Sequence, residues 1–202
     1  MGIWINKVKE YWEARAKEQG ELTVGFSNSP EEIQNENYQV RQDFLSQFID
    51  KDLVVLDFGC GIGRHCNLFS TNRYLGVDVT EDLIKFAKQR QPNYTFLKLE
   101  DPHLDFDFSY NYDAIFTATV LQHNSDEGVR RILESFRNVK ASGFTLYLYE
   151  NTSDNSDASH IKFRRPDEYL ELVEEVFGKC IDHEVLKHTV HNEEHSLIII
   201  DY

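Results

Sequence analysis

Five short apolar runs, LVVLDF at 53–58, YLGVDV at 74–79, YTFLKL at 94–99, YDAIFTA at 112–118 and FTLYLYE at 144–150, recur along the chain. Between them lie helical patterns such as EDLIKFAKQR and EGVRRILESFRNV. Alternation of this kind leaves few architectures open. Short apolar strands joined by helices build βαβ units, and right-handed crossovers gather these into a mostly parallel sheet covered by helices on both faces.

The flanks modify that plan. Trp4, Val8, Tyr11 and Trp12 are spaced for one face of an amino-terminal helix. Ser29, Pro30 and Glu32 carry the signature of a second helix start, running to about Ile49. After the helical pattern PDEYLELVEEVFG, two strand-like runs, CIDHEVLKHTV and HSLIIIDY, face each other across HNEE. So short a link predicts an antiparallel hairpin closing a sheet of seven strands. At 202 residues the chain suits one domain.

Charge narrows the partners. A formal net charge of -14 repels a phosphate backbone, so nucleic acid is not expected as the substrate. No apolar stretch reaches membrane-spanning length, and the amino terminus lacks a leader pattern. The odd set Cys60, Cys66 and Cys180 suits a reducing compartment, so a cytoplasmic protein, monomeric or homodimeric, is expected.

The chemistry concentrates at DFGCGIGR. Asp57 ends an apolar run, and Gly59, Gly61 and Gly63 follow. The glycines fit a strand that turns sharply into a helix with a ligand against the backbone, because glycine permits unusual dihedrals and close approach. A dinucleotide fingerprint would need glycine where Arg64 stands. Asp78 ends the next strand, 19 residues beyond Gly59, a placement suited to ribose hydroxyls.

This pattern resembles motif I of the class I S-adenosylmethionine-dependent methyltransferases, and three further stretches extend the resemblance over roughly residues 50–150. It implies a Rossmann-like α/β fold and S-adenosylmethionine as cofactor, with S-adenosylhomocysteine as product. It also implies a loop of Gly59, Cys60, Gly61 and Gly63 around the amino-acid tail, with Asp57 holding its ammonium. Asp78 and Val79 would meet the ribose. Glu100, in place of the more usual aspartate, and Asp101 would meet the adenine, and Thr117 would be a cofactor contact from the fourth strand. Residues 1–49 would form a helical cap or lid and 50–202 the catalytic core.

Methyl transfer is an in-line displacement that needs alignment above all. His123, ending TATVLQH, is the candidate base for a hydroxyl acceptor, or the residue that orients an amine. The polar segment NTSDNSDASHIKFRRP, with His160 and Arg164, points to a polar small molecule. A sugar is favoured, with an amino sugar or other amine as the alternative. Tyr11 is a further candidate acceptor contact. No spacing demands a metal ion, and a cofactor-binding module without catalysis is the rival of a different class.

Overall fold

The computed structural model describes residues 3–19, 31–101, 111–139, 143–153, 161–178, 182–190 and 192–202. Two helices, α1 (Ile3–Gln19) and α2 (Glu31–Leu45), precede the sheet. The parallel strands are β1 (Val55–Phe58), β2 (Tyr74–Asp78), β3 (Thr95–Lys98), β4 (Ala114–Ala118) and β5 (Thr145–Asn151). Between them lie α3 (Glu81–Arg90) and α4 (Asp126–Val139). Helix α5 (Pro166–Phe177) leads to β6 (Asp182–Val190) and β7 (Glu193–Asp201).

The seven strands run in the order β3-β2-β1-β4-β5-β7-β6. Val55 of β1 pairs with Tyr74 of β2 on one side and Ala114 of β4 on the other, both in parallel register. Chain order therefore reverses between β1 and β4, and in an open α/β sheet the crevice outside such a reversal is where ligands bind. β7 runs antiparallel between β5 and β6. The expected hairpin is present, with one difference. Val190 pairs with Glu193, so only two residues connect the strands and Asn192 sits at φ 63°. Asparagine tolerates that left-handed turn better than most side chains.

Period-two alternation splits the buried side chains between two faces. Leu56, Phe58, Ile115, Leu146, Leu148, Ile198 and Ile200 join Ile132, Phe136, Tyr169 and Val173 of α4 and α5. Val55, Tyr74, Phe116, Tyr147, Tyr149 and Leu197 join Leu45, Ile84 and Ala87 from the other side. Each fully buried Leu, Ile or Phe contributes roughly 1.5–3 kcal/mol. Packing is thus two-sided, as a mostly parallel sheet requires.

Two expectations need correction. Helix α2 ends at Leu45 and the chain reaches Ile49 through turns, with Ile49 N donating to Leu45 O at 3.1 Å. No α-helix follows β1; turns and two 3₁₀ turns, Cys66–Leu68 and Thr71–Arg73, make the crossover to β2. Gly59, Gly61 and Gly63 all have positive φ (75°, 55° and 74°), which a right-handed helix cannot contain. Ser29 and Pro30 lie outside the described residues.

Candidate active site

A cavity of about 530 Å³ opens at the carboxyl ends of the strands on both sides of the β1/β4 reversal. Its volume is that of a small-molecule site. One end is built by β1, β2 and the glycine loop. Asp57, 2% exposed, accepts a hydrogen bond from the Tyr74 hydroxyl at 2.5 Å. Burial lifts its carboxyl to about 7; Tyr74 opposes the shift and Asp78 adds to it. The loop is pinned to β2, because Gly59 N and Cys60 N both donate to Val77 O, at 2.8 and 3.0 Å.

Asp78 completes this end. Its Oδ2 accepts from Gly61 N at 3.0 Å and its Oδ1 from Thr80 N at 2.8 Å. Burial raises this carboxyl too, and those backbone donors moderate the rise. Gly59, Cys60, Gly61, Asp78, Val79 and Leu99 line the wall. A Cβ on Gly59 would stand 2.5 Å from Cγ2 of Val120, so the loop rests directly on the turn after β4.

That turn carries His123. Thr119 adopts φ 55°, which swings the chain sharply out of the strand into a 3₁₀ turn at Leu121–His123. Glu150, fully buried at the end of β5, anchors it. Its Oε1 accepts from Val120 N at 3.1 Å, Leu121 N at 3.0 Å and the Thr117 hydroxyl at 3.3 Å. Its Oε2 accepts from Gln122 N at 3.3 Å. Burial pushes this carboxyl up to about 7, against the pull of those donors. His123 itself is buried in the cavity wall, with the Trp12 ring edge-on at 5.0 Å and the Gln122 amide nitrogen 3.4 Å from Nε2.

The adjoining wall is formed by α2, the residues that follow the glycine loop and the β5/β7 margin. Asn37, Tyr38, Arg41, Arg64, His65, Asn151, Glu193 and His195 all line it. The Tyr38 hydroxyl donates to the Arg64 carbonyl, and the Gln42 amide donates to the same oxygen at 3.2 Å. The Gln42 amide also lies 3.0 Å from Nδ1 of His65. Burial, with Arg41 and Arg64 nearby, drives the His65 ring down to about 3, so it is neutral and can accept that proton. From α1, Val8, Trp12 and Arg15 roof the cavity, and Ala16 packs on Ile62 and Leu83.

Several expected site residues are not among those that line the described cavity wall. Gly63 is a packing position, where a Cβ would stand 2.7 Å from Cζ of Phe96. The Glu100 side chain is 79% exposed and binds Lys98, and neither it nor half-buried Asp101 is in the described cavity wall. Thr117 is fully buried and serves Glu150. The Tyr11 ring lies 5.3 Å edge-on from that of Trp12, and its hydroxyl accepts from Arg15 at 2.6 Å; of these three, Trp12 and Arg15 reach the cavity. Arg164, 2% exposed, faces inward: it binds Asp126 and donates to the carbonyls of Leu121 and Asn124 at 3.3 and 2.6 Å. His160 lies outside the described residues. No metal-ligating cluster occurs among the described residues, nor does any helix there have the length and apolarity to cross a membrane.

Sequence reasoning passed over Tyr74, Glu150, Asn37 and Arg41, and weighed His195 only as a metal ligand, a role it set aside. For Glu150 the signal was present, since an acid closing an apolar run had already marked Asp57. The others depend on which segments the topology brings together.

A family model described as methyltransferase domain matches residues 55–143. A putative methyltransferase, 235L, of Invertebrate iridescent virus 6 is 28% identical over 116 residues, 55% of this chain and 42% of that protein. The tRNA (carboxymethyluridine(34)-5-O)-methyltransferase of Arabidopsis thaliana is 33% identical over 95 residues, 46% of this chain and 23% of that one. The chain thus spans less than half the length of these curated relatives. Among solved structures, magnesium protoporphyrin IX methyltransferase of Synechocystis PCC 6803 with bound SAH superposes with a TM-score of 0.71 at 14% identity. That match covers 98% of this chain and 99% of the other.

Proposed function

We propose that the chain is a class I S-adenosylmethionine-dependent methyltransferase, a reading supported by the methyltransferase-domain match at residues 55–143, and that it methylates a small polar acceptor. The observation that carries this reading is the pair of buried carboxylates, Asp57 and Asp78, at the ends of adjacent parallel strands beside a glycine loop. Both carboxyls sit above their ordinary range because burial disfavours their charge. A positively charged ligand at Asp57 would reverse that disfavour. The donor set therefore fits the cofactor.

When bound, S-adenosylmethionine supplies a methyl group on a positively charged sulfur. Asp57 would receive the ammonium of its amino-acid tail, and Asp78, held open by Gly61 N and Thr80 N, would accept from ribose hydroxyls. Val79 and Leu99 supply apolar wall, and Trp12 on α1 shields the His123 turn from water. His123 would take the proton from a hydroxyl acceptor. Its buried position in the cavity wall is the observation that supports O-methylation, a sugar hydroxyl included.

Two measurements test this. Calorimetry with S-adenosylhomocysteine should give one site, lost in Asp57→Asn and Asp78→Asn; no binding by the unmodified protein defeats the reading. Once an acceptor screen yields turnover, His123→Ala should lose most activity at neutral pH and recover part as pH rises. An equal loss at every pH would assign His123 to orientation of the acceptor.

A further inference from the structure

Gln122 stands immediately before His123 and is only 6% exposed, yet it lines the same cavity wall. Its main chain is fixed at both polar atoms. The N–H donates to Oε2 of Glu150 at 3.3 Å, and the carbonyl accepts from Lys162 N at 2.7 Å. The side chain is fixed as well, because its Oε1 accepts from Asn151 N at 3.2 Å. Two segments, the end of β5 and the stretch before α5, therefore grip one buried glutamine.

That grip decides which way the amide faces. A backbone N–H can only donate, so the atom it meets on Gln122 must be the carbonyl oxygen. The amide nitrogen is then the group turned toward His123, 3.4 Å from Nε2. An amide NH₂ has only hydrogens to offer. A proton on Nε2 would face those hydrogens, whereas a lone pair there accepts one. The neutral ring consequently carries its proton on Nδ1 and its lone pair on Nε2. A contact of 3.4 Å is long for a hydrogen bond. It is enough to choose between tautomers and weak enough for an incoming hydroxyl to take its place.

The charged groups around this turn bear on its main chain. Glu150 accepts from the N–H groups of Val120, Leu121 and Gln122. Arg164 donates to the carbonyls of Leu121 and Asn124, and Asp126, at the start of α4, holds both Arg164 and Lys162. On α1 the Arg15 guanidinium lies over the Trp12 ring, and Trp12 meets the His123 ring edge-on.

We propose that Gln122 is a positioning residue for methyl transfer, setting the tautomer of His123 so that Nε2 is the nitrogen that receives the acceptor's hydroxyl proton. This rests on the proposed methyltransferase function with His123 as base, and it names the atom. As the acceptor oxygen gains the methyl group it loses its proton to Nε2, and the positive charge that leaves sulfur reappears on the imidazole ring. With the proton already on Nε2, the ring would meet the hydroxyl as a donor and could not deprotonate it through that atom.

Gln122→Glu separates positioning from support. The substitution keeps an oxygen for Asn151 N and exchanges only the group facing the ring, so a merely structural role survives it. Two-bond ¹⁵N–¹H correlation spectra of the full chain, labelled at histidine, read the ring directly, and His123→Gln identifies its signals among the eight histidines. At pH 8 the parent should show Nδ1 protonated and Nε2 bare. In Gln122→Glu, Nε2 should carry a proton held by the new carboxylate. Turnover of a hydroxyl acceptor found by screening should then fall by about a hundredfold, with acceptor KM changed by less than about threefold. A protonated Nε2 in the parent overturns the proposal, as does a ring pattern or a turnover that Gln122→Glu leaves unchanged. The spectra need no acceptor. A parent with the expected ring that takes up no S-adenosylhomocysteine would instead defeat the methyltransferase reading while the tautomer stood.

Discussion

The Tyr74 hydroxyl donates to Oδ2 of Asp57 at 2.5 Å, from the first residue of β2 to the third of β1, with both side chains buried. This bond opposes the burial that raises the Asp57 carboxyl to about 7. Under the proposed function Tyr74 would position Asp57 for the cofactor's cation. Tyr74→Phe should raise the Asp57 pKa further and weaken S-adenosylhomocysteine binding by about tenfold at pH 7, in line with the strength of hydrogen bonds to charged groups. Affinity should recover as pH rises past 8. A loss equal at all pH values would assign Tyr74 to packing alone.

The same carboxyl links stability to pH. With a folded pKa of about 7 against an ordinary 3.8, native Asp57 binds more protons than the unfolded chain over that interval. Its contribution is therefore fully present below about pH 4 and is lost as pH rises through 7. Asp57→Asn removes the titration. Without cofactor, the variant should exceed the natural protein by up to about 4 kcal/mol at pH 8, with the gap closing toward pH 4. Thermal unfolding across that range reads it directly, and a gap independent of pH would contradict it.

Glu150 touches no cavity surface, yet it holds the turn that carries His123 through four donors. Glu150→Gln turns one accepting oxygen into an NH₂ group facing an N–H. The expected cost is about 1–3 kcal/mol in stability. Turnover should fall more than tenfold with little change in S-adenosylhomocysteine affinity. Unchanged turnover in a folded variant would separate Glu150 from the site.

Arg164 distinguishes support from substrate contact. Its guanidinium joins Asp126 to the carbonyls of Leu121 and Asn124, on both sides of His123. Arg164→Ala should cost about 2–3 kcal/mol, since it leaves those groups short of a donor, and it should lower kcat. Arg164→Lys should restore part of both. A rise in acceptor KM at unaltered stability would return Arg164 to the acceptor contacts.

How far the sequence could be read follows from the range of the interactions involved. The strands were legible because period and composition are local: LVVLDF holds β1, and YLGVDV holds β2 with one residue to spare. Asp57 and Asp78 were legible for the same reason, as acids terminating apolar runs. The missing helix after β1 was less so, because the glycines that mark the loop also forbid the helix, and only their positive φ values separate the two readings. Arg164 misled because a guanidinium beside a polar segment looks solvent-facing, while Asp126 and two carbonyls, all some 40 residues distant in sequence, draw it inward. Asn37, Arg41 and His195 belong to one site only after β7 inserts beside β5, an event no local pattern announces.

Gly59 and Val120 come from different crossovers, yet the missing Cβ of one is filled by a methyl of the other. The two positions are consequently tied as a lock and its ward. Alanine at 59 would wedge the glycine loop off the turn that carries His123, and trimming Val120 to alanine would relieve the collision but leave a backbone strain of about 1–2 kcal/mol. The double variant should outperform Gly59→Ala alone and fall short of the parent, which makes this contact a place where change at one site sets the tolerance of the other.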